Sequence, residues 1–290
     1  MTNEVVNQHN WNVTENGEHL QFGVVEPRKF IRSSRRPADG QAAEGDWQRS
    51  RELDSRASGS QARQLASIIR QLGGGLGPEL LGVCEVENAT VLQMLVSRVA
   101  ALTNRDYTFV HFDTVDQRGI DIAFIFRPEL FTAPADQRFP HVVMRRTATR
   151  EILQVNFQTN KNRTWAVFGN HWPSRSGGQF ESEGYREIAG ETLGYFHQRV
   201  LEVHGEDTPG FAMGDFNDEP FNKSLTDHAL SVQQRAKVLN ATSRPLLLNM
   251  MWEAAGRREG SLYFDNSPNL LDQFLVNRNM LRPTSSIRAC

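Results

Sequence analysis

The chain has 290 residues, 39% of them hydrophobic and 23% charged, with a formal net charge of -2. This is a globular composition, and a chain of this length buries a core without disulfides or a structural metal. It excludes a globally basic protein, although a local basic cleft or a bound cation can still meet a polyanion. No run of about 18 apolar residues is present, so no membrane-spanning helix is expected.

The first residues, "MTNEVVNQHNWNV", carry neither a basic start nor an apolar stretch. No signal peptide is read there, and a cytoplasmic chain is expected. "EVVNQH" makes a poor strand, and "LQFGVV" (20–25) makes a better one. Residues 33–60 are polar, charged and poor in aliphatics, the pattern of a long surface loop. "QARQLASIIRQL" (61–72) places Leu65, Ile68, Ile69 and Leu72 on one helical face, and "GGGLGP" stops it. "ELLGVCEVEN" (79–88) is a buried strand ending in acids. Within it, Cys84 reads as a small buried residue, and its pairing with the only other cysteine, Cys290, fits no disulfide framework or zinc spacing.

A helix over 89–102 points Val91, Leu92, Leu95, Val99 and Leu102 inward. "YTFVHF" and "IDIAFIF" (120–126) read as neighbouring strands, as do "EILQVNFQ" (151–158) and "TWAVFGNHW" (164–172). A helix over about 183–203 turns Ala189, Leu193, Phe196 and Val200 to one side. "GFAMGDFN" and "LLDQFLVN" (270–277) are the last clear strands. Strands in adjacent pairs, with helices after strands at three places, predict one α/β domain of two packed mixed sheets with helices outside.

Several of these strands end in polar residues of one kind. They are Glu85, the pair Asn170 and His171, and the pair Asp215 and Asn217, while Asp272 opens "DQFLV". Strand ends line one rim, where ligands bind. Carboxylates and amides gathered there are hard oxygen ligands suited to Mg²⁺ or Mn²⁺, held by Glu85 alone or with Asp272 or Asp215 through water. In an extended segment Asp215 and Asn217 point the same way. The carboxylate would orient or deprotonate a water, and the amide would donate to a phosphate oxygen. Gly214 lets the backbone turn or approach closely. Taken alone, "GDFNDEP" reads more simply as an acidic loop whose Asp and Asn cap turns.

Taken in order, "GVCEVEN", "RGIDIAFIFRP", "NHWPSR", "GDFND" and "LLDQFLV" resemble the endonuclease/exonuclease/phosphatase superfamily, the metal-dependent phosphodiesterases related to deoxyribonuclease I. The resemblance covers roughly residues 61–278 and implies a four-layer αββα sandwich. It implies metal-assisted hydrolysis of a phosphate ester. The expected substrate is nucleic acid, DNA before RNA, or else a small or lipid-headgroup phosphoester, and the expected cofactor is Mg²⁺ or Mn²⁺. Glu85 corresponds to the metal-binding glutamate, with Glu87 assigned to the turn that follows. Asp215 and Asn217 correspond to the pair that orients water and phosphate. His171 corresponds to the histidine on the phosphate or leaving group, and Asp272 to the aspartate supporting metal or phosphate. Asn12, in "NWNV", matches the asparagine after the first strand, since "LQFGVV" carries Gly23 where it would be needed. Asn170 joins the substrate-binding set. Asp121 has two candidate partners: His171, whose pKa it would raise, and Arg118. Arg175 and Arg186 read as bidentate phosphate clamps or as solvated side chains.

The pattern departs from the superfamily at its end. An Asp-His dyad and a further strand are expected after "LLDQFLVN", and the chain runs into "RPTSSIRAC" instead. Asp227-His228 in "TDHAL" comes too early in order and reads as a surface coincidence. These features predict an incomplete C-terminus, a bared strand edge and a damaged site in a monomeric chain, with a non-catalytic remnant as the third reading.

Overall fold

The computed structural model describes residues 7–15, 18–26, 59–113, 121–144, 149–256, 260–264, 267–281 and 285–289. Two large sheets face each other. Sheet A has the order β16-β1-β2-β3-β5-β4, built from β1 (Asn7–Glu15), β2 (Glu18–Glu26), β3 (Leu80–Val86), β4 (Thr108–His111), β5 (Asp121–Phe126) and β16 (Ser285–Ala289). Sheet B has the order β11-β12-β15-β10-β9-β8-β6. Its central strands are β8 (Ile152–Thr159), β9 (Thr164–His171), β10 (Gly210–Asp215) and β15 (Asp272–Asn277). Shorter strands complete it: β6 (Phe131–Thr132), β7 (Arg138–His141) pairing β8, β11 (Ser231–Val232) and β12 (Leu247–Asn249). A hairpin of β13 (Leu262–Phe264) and β14 (Ser267–Asn269) precedes β15.

Strand alternation builds the layers. Leu80, Cys84, Ile122, Phe124 and Phe126 of sheet A pack with Val155, Phe157, Trp165, Val167, Phe211, Met213, Phe274 and Val276 of sheet B. Phe157 meets Phe124, Phe126 and Phe131 edge-on, with centroids 5.9, 5.0 and 5.9 Å away, an arrangement that adds to simple area burial. The opposite parity of sheet A, Leu81, Val83, Ala123 and Ile125, packs under α1 (59–71) and α2 (Ala89–Thr103). That of sheet B, Ala166, Phe168, Ala212 and Leu275, packs under α3 (Glu183–His204) through Ala189, Leu193 and Val200. The result is the four-layer αββα sandwich. The sheets come close at Gly169, where a Cβ would lie 2.7 Å from Cγ2 of Ile122 and 3.0 Å from Cζ of Phe124.

Local signals explain the element ends. Asn88 caps α2 by accepting from the Val91 backbone N–H at 3.0 Å, and Asn104 closes it in the left-handed region at φ 53°. Leu102, expected inward, is 43% exposed because it lies in the last turn, beyond the reach of sheet A. Cys84 is buried as expected. The expected loop over 33–60 lies outside the described residues, apart from 59 and 60, which open α1.

Two expectations about the strands of sheet A need correction. "NQHNWNVTE" is a strand despite its polarity, because β1 forms an antiparallel hairpin with β2 from Asn7↔Glu26 to Glu15↔Glu18. A strand also follows β15: β16 pairs β1 from Trp11↔Ala289 to Glu15↔Ser285, so the β1 edge is covered. The dyad itself is absent from that stretch, since Gln273–Cys290 contains no Asp, Glu or His. Among the described residues, no helix is long and apolar enough to cross a membrane.

Candidate active site

Three polar residues stand abreast at one end of sheet B. Asp215, the last residue of β10, is the register partner of His171 on β9 and of Asp272 on β15. All three share the parity of the inter-sheet core residues Val167, Met213 and Phe274, so they continue that face beyond the apolar layer. They are nearly buried, at 5%, 7% and 2% exposure for His171, Asp215 and Asp272. His171 Nε2 lies 3.8 Å from Asp215 Oδ2, too far for a direct hydrogen bond.

Asp215 is held by the residue two positions on. Its Oδ1 accepts from the Asn217 backbone N–H at 2.7 Å, and its Oδ2 accepts from Asn217 Nδ2 at 3.0 Å. Asn217 Nδ2 also donates to the Trp172 carbonyl at 3.0 Å. Both amide hydrogens are thereby used inside the protein. The expectation that Asn217 faces the cavity beside Asp215 needs correction. The strand ends at Asp215, and Asn217 turns back in the left-handed region at φ 50°. Gly214 is a matter of close approach to a neighbouring strand: at φ 133° its missing Cβ would lie 2.0 Å from the Asn170 carbonyl oxygen.

Sheet A supplies Glu85 opposite this row. Val83 pairs Ala123 and Val86 pairs Asp121, so Cys84 and Glu85 together stand against Ile122 in a bulge. Glu85 takes φ 57°, an unusual conformation for a residue with a Cβ. Cys84 Sγ donates to the Asn170 carbonyl at 3.5 Å, which sets the end of β3 against the end of β9. Asp215 and Asp272 are buried register partners, and two such carboxylates repel unless cationic charge or donors compensate them; Glu85 is half-buried. The carboxylates of Glu85, Asp215 and Asp272 are hard oxygen donors of the kind Mg²⁺ or Mn²⁺ takes, in part through retained waters, but among the described residues the group whose ligand atoms all lie within 4.8 Å of one another is His111, Asp113 and Asp121.

Residues 46–288 match the family described as Endonuclease/Exonuclease/phosphatase. The chain belongs to the endonuclease/exonuclease/phosphatase family. No curated protein sequence matches it. Solved structures share its fold at low identity. A humanized D. rerio TDP2 is 12% identical with a TM-score of 0.54, over 80% of this chain and 82% of that one. A truncated Caenorhabditis elegans TDP2 is 13% identical with a TM-score of 0.52, over 78% and 80%. The human Nocturnin catalytic domain, solved with a sulfate anion, is 17% identical with a TM-score of 0.51, over 79% and 85%.

In this member of the endonuclease/exonuclease/phosphatase family, several residues expected at the substrate hold the site together instead. Asn170 is buried on the α3 side of β9. Its Nδ2 donates to the Phe168 carbonyl at 3.0 Å, and its Oδ1 accepts from Trp172 Nε1 at 2.9 Å. Arg186 is fully buried at 0% exposure and cannot reach solvent-borne substrate. Its Nε contacts Asp218 Oδ1 at 2.8 Å, and its Nη atoms donate to Ser182 Oγ and the Gln179 carbonyl. Arg175 donates from Nε to the Asn217 carbonyl at 2.6 Å and from Nη2 to Asp218 Oδ1 at 3.0 Å. Both arginines therefore clamp the loop after β10.

The partner of Asp121 that the described residues show is neither of the two expected. Asp121 Oδ2 lies 2.9 Å from Nε2 of His111, and Arg118 lies outside the described residues. Asn12 does not meet Glu85 in the sheet register. It opposes Gln21, which precedes the Phe22↔Leu80 rung, whereas Glu85 lies five residues beyond Leu80. The residue of β1 at the rim end is Asn7, opposite Glu26. Glu87 stands in the turn before the Asn88 cap. His228 faces Glu191 and Glu187 of α3, at 3.2 and 3.9 Å, in keeping with a surface position.

Three residues of the site have no role legible in the sequence: Arg150 and His111 have no motif to announce them, and Asp218, the last residue of "GDFND", reads there only as part of an acidic loop. Asp218, 1% exposed, gathers Arg175, Arg186 and Ser224 Oγ at 2.6 Å. Arg150, 2% exposed, donates to the carbonyls of His171 and Trp172 at 2.9 and 2.8 Å. His111 reads in sequence as an ordinary strand residue. The only available signal was the oddity of charged residues beside apolar runs.

Proposed function

We propose that this chain is a divalent-metal-dependent phosphodiester hydrolase acting on nucleic acid, with DNA preferred to RNA. The observation that carries the reading is the row His171, Asp215 and Asp272 across three adjacent strands, facing the Glu85 bulge. Glu85 and Asp272 would hold Mg²⁺ or Mn²⁺. When bound, the cation neutralises charge on the phosphoryl group and polarises it.

The protein's own residues supply the rest. Asp215 orients the attacking water and accepts its proton. Asn217 fixes the plane of that carboxylate through its two donors, so its role is positioning. His171, level with Asp215, donates to a phosphoryl oxygen or to the leaving group. Arg150 fixes the carbonyls of His171 and Trp172 and so the end of β9. No group beyond Asp272 is required in this account.

Exposed aromatics favour a nucleic acid over a small ester. Phe180, Phe221 and Tyr263 are 80%, 59% and 54% exposed. They lie on the segments that follow β9, follow β10 and precede β15, at the ends that carry the row. Such side chains stack on unpaired bases.

The substrate class is tested with supercoiled plasmid, single-stranded DNA, single-stranded RNA and a panel of sugar and headgroup phosphoesters, each with Mn²⁺ or EDTA. The reading predicts metal-dependent cleavage of nucleic acid, faster on DNA. Phosphate release from a small ester without DNA cleavage would move the assignment to a phosphatase. A folded chain inert on all of them would make it a remnant.

A further inference from the structure

Two buried imidazole–carboxylate pairs stand at this end of the molecule. One is His171 with Asp215 in sheet B. The other is in sheet A, where His111 closes β4 and Asp121 opens β5, with side chains 5% and 3% exposed. His111 Nε2 is 2.9 Å from Asp121 Oδ2, and its Nδ1 is 3.9 Å from Oδ1 of the exposed Asp113. The hydrolytic account above gives this second pair no role.

Its place in the register suggests one. Asp121 is the β5 residue opposite Val86, where β3 regains its partner after the bulge, and the preceding matched rung is Val83↔Ala123. His111 is the register partner of that same Ala123 on the other edge of β5. The His111–Asp121 bridge therefore spans the two rungs that bracket Cys84 and Glu85. Glu85 sits there at φ 57°. A left-handed residue with a Cβ is disfavoured by about 1–3 kcal/mol and persists only where its surroundings fix it on both sides.

We propose that His111 is a positioning residue for Glu85: through Asp121 it locks the rung on which the bulge closes, and so fixes the direction of the Glu85 carboxylate toward the cation. The proposal rests on Glu85 being a metal ligand, as in the function proposed above. It assigns His111 to metal affinity rather than to the chemical step. Residues that orient metal ligands typically change affinity by about 10–100-fold when removed.

The test is Mn²⁺ binding by titration calorimetry, beside the Mn²⁺ dependence of plasmid cleavage. It compares the full chain with His111→Asn, His111→Gln and Glu85→Gln, each checked for folding by metal-free thermal unfolding. A Gln amide reaches the place of Nε2 and can still donate to Asp121, whereas an Asn amide stops near Nδ1. His111→Asn is expected to weaken Mn²⁺ binding about 10–100-fold and to raise the Mn²⁺ needed for half-maximal cleavage by the same factor. Saturating Mn²⁺ should recover most of kcat, and His111→Gln should bind close to the unsubstituted chain. Equal affinity for the Asn and Gln variants would overturn the proposal. So would a second Mn²⁺ in the unsubstituted chain that His111→Asn loses while the first binds unchanged, since His111, Asp113 and Asp121 would then be ligands themselves. Unchanged Mn²⁺ binding by Glu85→Gln would instead sink the metal role of Glu85, a separate result.

Discussion

Asp215 shows what two residues of sequence spacing can and cannot say. Period-two alternation correctly turns Asp215 to the inter-sheet face, in line with Phe211 and Met213. It fails for Asn217, because the strand ends at Asp215 and the chain passes into a left-handed residue. Carboxylates at strand ends are legible because each closes an apolar run. Their hydrogen-bond partners are not, since Arg175 meets Asp218 across 43 positions and Asn217 meets the Trp172 carbonyl across 45. Gly214 gives the sharpest prediction at this scale. Gly214→Ala would put a methyl group 2.0 Å from a backbone carbonyl at a φ few other residues adopt. It should destabilise the fold by ~3 kcal/mol or more in urea unfolding. A loss below ~1 kcal/mol would show that β9 and β10 separate easily there.

At the scale of elements, the loop after β10 is fixed by buried ions. Asp218 receives both Arg175 and Arg186, and Glu219 accepts from the Leu270 backbone N–H with both oxygens at 3.1 Å. Burial holds the Glu219 carboxyl above its ordinary pKa. Removing Asp218 would leave guanidinium charge buried without its counter-ion. Asp218→Ala should cost about 3–5 kcal/mol of stability and lower turnover through the released Asn217, and urea unfolding beside plasmid cleavage checks both.

Helix α3 carries a second test. His197 is buried with no hydrogen-bond partner for Nε2 among the described residues, and desolvation lowers its pKa to about 4. A histidine with a depressed folded-state pKa contributes stability above its unfolded pKa of about 6.5, and that stability is lost as pH falls. The window therefore runs from about pH 6.5 down to about 4, and the full loss is about 3 kcal/mol. His197→Leu should flatten that part of the stability–pH curve, and an unchanged slope would place the titration elsewhere. The helices were legible through their apolar period, yet His197 was not, because a histidine inside a helical pattern carries no mark of burial.

Over the whole molecule, strands with apolar faces were visible in the sequence and polar edge strands were not. "NQHNWNVTE" and "SSIRA" have little β character, but they pair with each other at the outer side of sheet A, where backbone hydrogen bonds decide. Reading "SSIRA" as a tail suggested a bared edge and a damaged site. The paired β16 removes the first of these, and the row of His171, Asp215 and Asp272 is assembled without help from residues beyond β15. The pairing of those three strands depends on crossovers that no local pattern encodes.

The central claim is that this row, with Glu85, hydrolyses phosphodiesters with a divalent cation. It is tested most directly by the nicking of supercoiled plasmid in Mn²⁺ by the unsubstituted chain and by Asp215→Ala, both shown to be folded. The account predicts nicking by the former, none with EDTA, and a loss of at least ~10²-fold in Asp215→Ala. Equal nicking by the two proteins would contradict it and place the activity outside the row.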